Sequence, residues 1–451
     1  MTLDRRSILA ATLGVGATAA ATVAAAAETK ILRQAGGDVL SGILPDSEAD
    51  QTPALQAAID HAAANHAPVV LPPGTIRVSD LRLRPGTKLI GAAGTTTLQF
   101  SGGAAFLTAD KADGVTLEGL VFDGAWRPFE EERGEGLVSL SRCRGLAIDS
   151  VEIKNSARIG LSLVACGGRV SNTTIESVLD AGFKCLDAAE LTISGNTITN
   201  CGNNGILVWR SEKGEDGTVI TGNRVSKIRN AAGGTGQYGN GINVFRAGSV
   251  LVSNNRVSDC AYSAVRGNAA SNIQIISNSC ERLGEVAIYS EFGFEGALIA
   301  NNLIDFAATG ISVTNFGEGG RLAVIQGNLI RNLFRREHEK EDKRGEGIGV
   351  EADAVVSGNT IENAPTVGIQ IGWGPFLRNV SATGNVIRRA KIGISISSAP
   401  ETGSCLVANN LISETTDGAI RAMHLGAAFG PDLARDPAAA ERITLSGNVA
   451  V

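Results

Sequence analysis

The chain has 451 residues, of which 43% are hydrophobic and 19% charged, with 56 glycines and 12 prolines. This composition excludes a largely disordered chain, because enough apolar side chains are present to build a large core. The 40 basic and 46 acidic side chains give a formal net charge of −6. Nucleic acid is therefore not expected as a partner, since phosphates are bound by basic surfaces.

The chain begins with the pattern of an export signal. Arg5 and Arg6 precede an uncharged stretch that ends in small residues at positions 25–27, which is typical of a cleavable signal peptide. The paired arginines resemble a twin-arginine signal. We predict a leader over residues 1–27, export by the twin-arginine translocation machinery and a periplasmic or secreted protein without stable membrane insertion. The alternative is a retained anchor helix, since about 20 apolar residues can cross a bilayer.

Residues 28–116 form the predicted N-terminal cap and first coils of the fold. Thr52 suits the N-cap of a helix, and Pro53 suits its first turn. The apolar residues that follow share one helical face, namely Leu55, Ala58, Ile59 and Ala62. We expect this helix to cover the unpaired edge of the first coil.

From residue 117 to residue 451, one sequence pattern recurs. Its clearest copies are ISGNTITNCGNNGILV at residues 193–208 and VSGNTIENAPTVGIQI at residues 356–371. Within each copy, apolar residues alternate with polar ones, which predicts short strands. One asparagine returns mostly every 23 to 27 residues, at Asn196, Asn223, Asn255, Asn278, Asn302, Asn328, Asn359, Asn385, Asn410 and Asn448.

We therefore predict an all-β chain folded as a right-handed parallel β-helix, with strands of successive coils about 4.8 Å apart. A leucine-rich repeat has a similar length but needs Leu at several fixed positions, where this chain has Ile, Val, Gly and Asn. The asparagines would stack at a tight bend, where Asn tolerates a left-handed backbone and bonds to the same amide on the next coil. The three coils before Asn196 lack this asparagine and have Leu120, Val151 and Thr173 instead.

The run from Asp50 to Gly91 resembles the N-terminal module of the pectate-lyase-like β-helix proteins, which include polysaccharide lyases and glycoside hydrolases. The leader, this module and the repeats together resemble a family of twin-arginine-translocated right-handed parallel β-helix repeat proteins of unassigned activity. The resemblance implies the fold and export of the chain. It does not imply a reaction, because the paired aspartates and Gly-His-Gly of β-helix hydrolases and the aspartate-rich calcium site of pectate lyases are not found in the sequence.

Side chains alternate along a strand, so every second residue of each repeat points outward. After Val138 and Ser162, the first predicted outward column contains Lys184, Leu207, Asn243, Arg266, Tyr289, Ser312, Gly349 and Gln370. After Leu140 and Val164, the second column contains Leu186, Trp209, Phe245, Asn268, Glu291, Thr314 and Glu351.

The middle coils thus combine aromatic and polar side chains on one predicted face. Such a surface suits a sugar chain, whose ring faces stack on aromatic groups while its hydroxyls form hydrogen bonds. We predict a polysaccharide or cell-envelope glycan as partner. Its predicted binding residues are Lys184, Trp209, Asn243, Phe245, Asn268 and Gln370.

Two cleavage reactions are compatible with the residues of this face. Glu291 and Glu351 lie two coils apart, about 9.6 Å between backbones, near the upper end of the roughly 6.5 to 9.5 Å between the carboxyl groups of inverting glycosidases. In a lyase, Arg266 or Lys184 would abstract a proton and Tyr289 would protonate the leaving oxygen. The alternative to an enzyme is a scaffold or glycan-binding solenoid, on which these residues only bind or solubilise.

Three insertions, at residues 126–135, 233–240 and 335–346, precede the same strand of their coils. They are expected to form the wall of a groove along one edge of this face. The seven cysteines do not form a disulfide framework, with only a Cys201 to Cys260 bridge left open. The four histidines have no metal-ligand partner at useful spacing, so neither a metal nor a cofactor is predicted.

Overall fold

The computed structural model describes residues 42–130, 134–336, 344–437 and 442–451. The predicted leader, residues 1–27, lies outside this part of the chain, as does the charged centre of the third insertion. None of the helices in the described ranges is long and apolar enough to span a membrane.

The chain forms a parallel β-solenoid in which each coil contributes strands to three parallel rows. The first row is a 15-stranded sheet that contains β1 (Pro68–Val70), β4 (Lys88–Ile90), β7 (Thr116–Glu118), β10 (Leu146–Asp149), β13 (Gly168–Ser171), β16 (Thr192–Ser194), β19 (Val219–Thr221), β22 (Leu251–Ser253), β25 (Ile273–Ile276), β28 (Glu295–Ala300), β31 (Arg321–Gln326), β34 (Ala352–Ser357), β36 (Arg378–Thr383), β38 (Cys405–Ala408) and β42 (Ile443–Ser446).

The second row follows the first along each coil. It contains β2 (Gly74–Val78), β5 (Thr96–Phe100), β8 (Val121–Asp123), β11 (Glu152–Ser156), β14 (Thr174–Val178), β17 (Thr197–Cys201), β20 (Arg224–Ile228), β23 (Arg256–Cys260), β26 (Ser279–Leu283), β29 (Leu303–Asp305), β32 (Leu329–Arg331), the first halves of β35 (Thr360–Ile371) and β37 (Val386–Ser397), β39 (Leu411–Ser413) and β43 (Val449–Ala450).

The third row carries the predicted functional face. It contains β3 (Leu81–Arg82), β6 (Leu107–Asp110), β9 (Gly136–Ser141), β12 (Ile159–Val164), β15 (Phe183–Leu186), β18 (Asn204–Glu215), β21 (Asn240–Gly248), β24 (Val265–Asn268), β27 (Val286–Glu291), β30 (Thr309–Val313), β33 (Glu346–Val350), the second halves of β35 and β37, and β40 (Ile420–His424). The last strand of this row also pairs antiparallel with β41 (Ala427–Asp432).

The core lies inside the coils, where equivalent apolar residues stack from one coil to the next. One such inward column consists of Ile198, Val225, Val257, Cys280, Ile304, Ile330, Ile361, Ile387 and Ile412, all of which are buried. Burying one aliphatic side chain of this size contributes about 1.5–3 kcal/mol. The alternation read from the sequence therefore gives both the strand positions and the core.

The predicted asparagine ladder is present at the corner between the first and second rows. In a typical step, the backbone N–H and the Nδ2 of Asn255 both donate to the Oδ1 of Asn278 at 3.0 Å. The same Nδ2 donates to the carbonyl of Ile220 on the preceding coil. Equivalent bonds connect the ladder from Asn196 to Asn448. Thr173, which lacks the amide, joins the ladder through its backbone N–H.

The predicted place of the left-handed backbone is wrong by one residue. The positive φ angles belong to the residue before each ladder asparagine, for example Asn254 with 56° and Gly195 with 67°. The physical reason is that the bend precedes the ladder position, so that the asparagine side chain itself points back into the corner and reaches its neighbours.

Helix α1 (Thr52–Ala64) packs on the first coil, as predicted. Its buried residues are the four of the predicted face, Leu55, Ala58, Ile59 and Ala62. The N-cap is Gln51 and not Thr52. The Thr52 hydroxyl does not cap the helix, because it accepts a hydrogen bond from the backbone N–H of Ser79. The N–H of Thr52 itself donates to the Oδ1 of Asp50.

The seven cysteines are free and buried. Cys201 and Cys260 occupy the same column but are separated by Ile228 of the intervening coil. The bridge between these two residues that the sequence left open is therefore absent.

Candidate functional site

The register of the third row brings the predicted residues onto one face. From Lys184 to Gln370, each member of the first predicted column pairs with the next one. In the second column, Asn268 pairs with Glu291, and Glu351 lies two coils beyond. Arg266, Tyr289 and Glu291 are therefore neighbours in space.

The assignment is wrong on one early coil. Val138 pairs with Leu161, and Leu140 pairs with Leu163, so both residues point into the core. Ser139 and Ser141 are the outward residues there. Residues 136 to 138 are all buried, so the alternation does not show in the sequence of this strand.

Arg266, Asn268 and Glu291 form a buried polar cluster. The Nε of Arg266 lies 2.6 Å from Glu291 Oε1, and Asn268 Nδ2 donates to the same oxygen at 3.0 Å. The Arg266 guanidinium lies 5.0 Å from the centre of the Tyr289 ring, in cation–π distance. Arg266 is 9% exposed and Glu291 only 2%. These side chains hold one another in fixed positions.

Glu285 extends this cluster towards the insertions. It lies 3.6 Å from Arg266, 3.7 Å from Arg336 and 3.4 Å from Arg344. Burial raises the pKa of the Glu285 carboxyl above its ordinary value, although the positive charges of the three arginines lower this pKa in part. Gly236 packs directly against the Arg266 guanidinium, because a Cβ added at Gly236 would lie only 2.0 Å from it. Two insertions, one around Gly236 and one that contains Arg336 and Arg344, thus pack at the same point along the edge of the face, where the sequence predicted a wall.

The predicted aromatic residues form a second group on the adjoining coils. Trp209 Nε1 donates to Asn243 Oδ1 at 3.1 Å, and its ring lies 6.0 Å from that of Phe245. Lys184 Nζ lies 5.7 Å from the Trp209 ring and 2.8 Å from Glu135 Oε2. Together, Trp209, Asn243 and Phe245 form an aromatic patch, which Lys184 borders on its N-terminal side.

A cavity of about 330 Å³ lies on the other side of the polar cluster. We call it the Glu351 cavity. A Cβ at Gly349, an outward position on β33, would meet a single atom within 4 Å, Glu346 Oε2 at 3.8 Å. The missing side chain of Gly349 therefore creates the space. The lining includes Tyr289, Ser312, Thr314, Arg344, Glu346, Glu351, Gln370 and Trp373.

Glu351 lines this cavity with a buried carboxyl group. Its side chain is buried, and burial raises the pKa of its carboxyl, against hydrogen bonds from the backbone N–H groups of Phe316 and Asn315 that lower it. The Phe316 N–H donates to its Oε2 at 2.7 Å. Glu346 brings a second carboxyl group to the same cavity.

The sequence did not indicate Glu285, Glu346 or Trp373. Glu285 directly precedes β27, and Glu346 is the first residue of β33, where the chain enters the third row and its side chains do not yet alternate regularly. Trp373 lies in the turn after β35, in the segment WGPF. It is one of only 3 tryptophans, which was the available signal. In the described ranges, no group of three His, Cys, Asp or Glu side chains has the geometry of a metal site.

Comparison with solved structures agrees with the architecture. The A-module of the Azotobacter vinelandii mannuronan C-5 epimerase AlgE4 has a TM-score of 0.51 at 18% identity, over 80% of this chain and 97% of that one. The GH87 α-1,3-glucanase of Streptomyces thermodiastaticus has a TM-score of 0.49 at 17% identity, over 90% and 67%. PfbA, a surface adhesin of Streptococcus pneumoniae, has 0.45 at 14%, over 84% and 90%. At 18% identity, the likeness to the AlgE4 module shows the fold alone, and the two structures with TM-scores under 0.5 carry no argument.

No curated protein matches the sequence. The family described as "Right handed beta helix region" matches three overlapping stretches, residues 96–225, 135–317 and 211–385. Together these stretches cover more than half of the chain. The chain therefore belongs to the right-handed β-helix family.

Proposed function

We propose that this protein is an exported enzyme that hydrolyses a polysaccharide at the Glu351 cavity. One observation carries the proposal: two carboxyl groups, those of Glu346 and Glu351, line a cavity that the absent side chain of Gly349 opens. The aromatic patch on the same face provides the surface on which sugar rings stack. The same fold carries the mannuronan C-5 epimerase module.

Glu351 would act as the general acid. Its raised pKa keeps the proton on the carboxyl at pH values where an ordinary glutamate is ionised, as in other glycoside hydrolases. Glu351 would protonate the glycosidic oxygen as the bond from that oxygen to the anomeric carbon breaks. Glu346 would take a proton from a water molecule whose oxygen attacks the same carbon. The backbones of Glu346 and Glu351 are five residues apart along the chain, about 16 Å in an extended strand, but the Glu346 carboxyl reaches towards Glu351, to 3.8 Å from the Cβ position of Gly349. In inverting enzymes, the two carboxyl groups are about 6.5–9.5 Å apart and leave room for this water.

Hydrolysis fits the site better than a lyase reaction with Arg266 or Lys184 as base. A base must be free of its proton, and an arginine side chain is not deprotonated in proteins. Arg266 is held between Glu291 and Glu285, and Lys184 is bound to Glu135 on the far side of the aromatic patch. Tyr289 remains a candidate proton donor, because burial raises the pKa of its phenol.

The charges around the site favour a neutral glycan. The three arginines beside the cavity, Arg266, Arg336 and Arg344, all lie within 4 Å of Glu285, and Arg266 also forms a hydrogen bond to Glu291. Because these arginines are already paired with buried carboxyl groups, they offer a polyanion little further attraction. We therefore place neutral envelope or environmental polysaccharides ahead of uronans.

A glycan-binding solenoid without catalysis is the second candidate. One observation favours it: Arg266 and Glu291, two of the predicted catalytic residues, are engaged in a hydrogen bond with each other. A side chain held in such a pair is less available for proton transfer. On this view the same face binds a glycan, and the Glu351 cavity holds a sugar without cleaving it.

Export completes the proposal. Arg5 and Arg6 followed by the uncharged stretch support a twin-arginine signal. Replacing both by Lys should leave the protein in the cytoplasm, and cell fractionation would measure this. An unchanged amount in the periplasm or medium would contradict the proposed route.

The activity test uses the mature protein with a panel of neutral and acidic polysaccharides and measures new reducing ends. We expect release from at least one neutral polysaccharide, and Glu351→Gln should lower its rate by about 100- to 10,000-fold, the range for loss of a general acid. The matched control is Glu176→Gln, which removes a carboxyl from the outward face of the second row. Unsaturated products, or equal rates for both variants, would refute the proposed mechanism.

A further inference from the structure

A second cavity lies on the same outer face, towards the N-terminal end of the third row. Its volume is about 510 Å³, within the range of small-molecule binding sites. We call it the N-terminal cavity. Its lining includes Thr108, Asp110, Glu135, Ser139, Ser141 and Ser162.

Small hydroxylated residues create this cavity. Thr108, Ser139 and Ser162 occupy the first outward column on three successive coils, where the following coil has Lys184. Ser141 occupies the second column beside Asp110 and donates to its Oδ1 at 2.6 Å. Short side chains at these stacked positions leave a depression in the face, with hydroxyl groups on its floor.

Charged groups of both signs surround the floor. Glu135 accepts hydrogen bonds from Ser162 at 3.2 Å and from Lys184 at 2.8 Å. On the opposite side, Arg84 bonds to Asp60 of helix α1 at 2.7 Å. Mixed donors and acceptors, with a floor of hydroxyls, suit an uncharged polyhydroxy ligand. The lining contains three carboxylates, Asp80, Asp110 and Glu135, and two arginines, Arg82 and Arg84, so an anionic ligand would meet more negative than positive charge.

The two cavities are arranged along one line. Their central strands, β9 and β30, are seven coils apart in the third row, which corresponds to about 34 Å. Trp209 and Phe245, on β18 and β21, lie between them. A chain that lies on the aromatic patch can therefore reach both cavities only if it is long.

Resting on the proposed function, we infer that the N-terminal cavity is a distal binding site for the same neutral polysaccharide. The protein would then hold long chains at two separated points and would act on polymers in preference to short oligosaccharides. Sugar units at the distal site would add affinity without touching the reacting bond.

The test fills the cavity and measures the dependence on chain length. Thr108→Trp and, independently, Ser141→Trp place an indole in the depression. Thr197→Trp is the matched control, because Thr197 has an outward position in the second row. Thermal unfolding identifies a variant that is misfolded, and the other variant then carries the test. The probes are a β-glucan, a dextran, a mannan and a xylan, each with its disaccharide to tetrasaccharide.

We expect both cavity variants to bind the recognised polysaccharide about tenfold more weakly, with affinity for its short oligosaccharides unchanged and Thr197→Trp equal to the native protein. Equal polysaccharide affinity of all variants, while Glu351→Gln still abolishes cleavage, would refute the distal site alone. Weaker polysaccharide binding by the cavity variants, without any cleavage by the native protein, would refute the proposed hydrolysis alone. Absence of binding to all four polysaccharides would refute both.

Discussion

The asparagine corner and the outer face of the third row are both columns of stacked polar side chains, but they differ in how far they repeat. At the corner, the same residue returns from Asn196 to Asn448, and each amide bonds to the next one. On the face, Lys184, Asn243, Arg266 and Gln370 follow one another in a single column. Both columns stack residues of successive coils, but the corner repeats one residue type and the face does not.

This difference separates architecture from function. A solenoid is stabilised by equal contacts between neighbouring coils, so a column that serves stability can use one residue type throughout. A column that contacts a ligand must change from coil to coil, because the ligand does not have the period of the protein. Departures from the repeat are therefore expected on a face that binds a ligand. Each of the following substitutions tests whether stability and function separate in this way.

Arg266→Ala is expected to give the largest loss of stability. Arg266 is an exception to the division between corner and face, because it lies on the outer face and yet is expected to contribute strongly to stability. The substitution leaves Glu285 and Glu291 buried without their shared arginine. Breaking a buried ion pair costs about 3–5 kcal/mol, which denaturant unfolding would measure. The control, Arg224→Ala on the outward side of the second row, should change stability by less than about 0.5 kcal/mol. Equal effects of both substitutions would show that the cluster does not hold the middle coils together.

The fold and the candidate site differ in the same way in how well the sequence predicts them. The ladder from Asn196 to Asn448 and the inward Ile and Val columns were predicted because a strict repeat places equivalent residues on top of one another. Val138 and Leu140 were assigned to the wrong side, because three successive residues are buried there. Glu346 was missed because it is the first residue of β33, a strand whose five residues are all buried, so no alternation shows the direction of its side chain.

Asn278→Ala tests the architectural column. Its side chain bonds to Asn255, to Asn302 and to the carbonyl of Val252, so its removal leaves several buried polar groups without partners. Each unsatisfied group costs about 1–3 kcal/mol, and we expect a total loss of about 2–4 kcal/mol in the free energy of unfolding. Binding of a polysaccharide should not change.

Asn268→Ala is the matched substitution on the face. It removes one hydrogen bond to Glu291, so the expected loss of stability is about 1 kcal/mol. Polysaccharide binding should weaken. If Asn268→Ala destabilised the protein as much as Asn278→Ala, the two columns would not differ in role.

Gly349→Leu should reduce activity while changing stability by less than about 1 kcal/mol. Its backbone is compatible with other residues, and the added side chain would enter the Glu351 cavity. Cleavage of the polysaccharide is expected to be lost, with Gly349→Ala intermediate. Unfolding curves and reducing-end assays on the same samples would separate the two effects. Normal cleavage by Gly349→Leu would place the reaction elsewhere on the molecule.

The smallest expected effect is the pH dependence that Glu351 imparts to stability. Burial raises the pKa of this carboxyl above its ordinary value of 4.5, so the folded protein holds its proton at pH values where the unfolded chain has lost it. The stability that this proton contributes is complete below the ordinary pKa and is lost as the pH rises through the raised one. In Glu351→Gln, the decline of unfolding free energy with rising pH in that interval should be smaller than in the native protein, whereas Glu176→Gln should follow the native curve. A Glu351→Gln curve parallel to the native one would show that the carboxyl has an ordinary pKa, and the proposed proton donor would lose its basis.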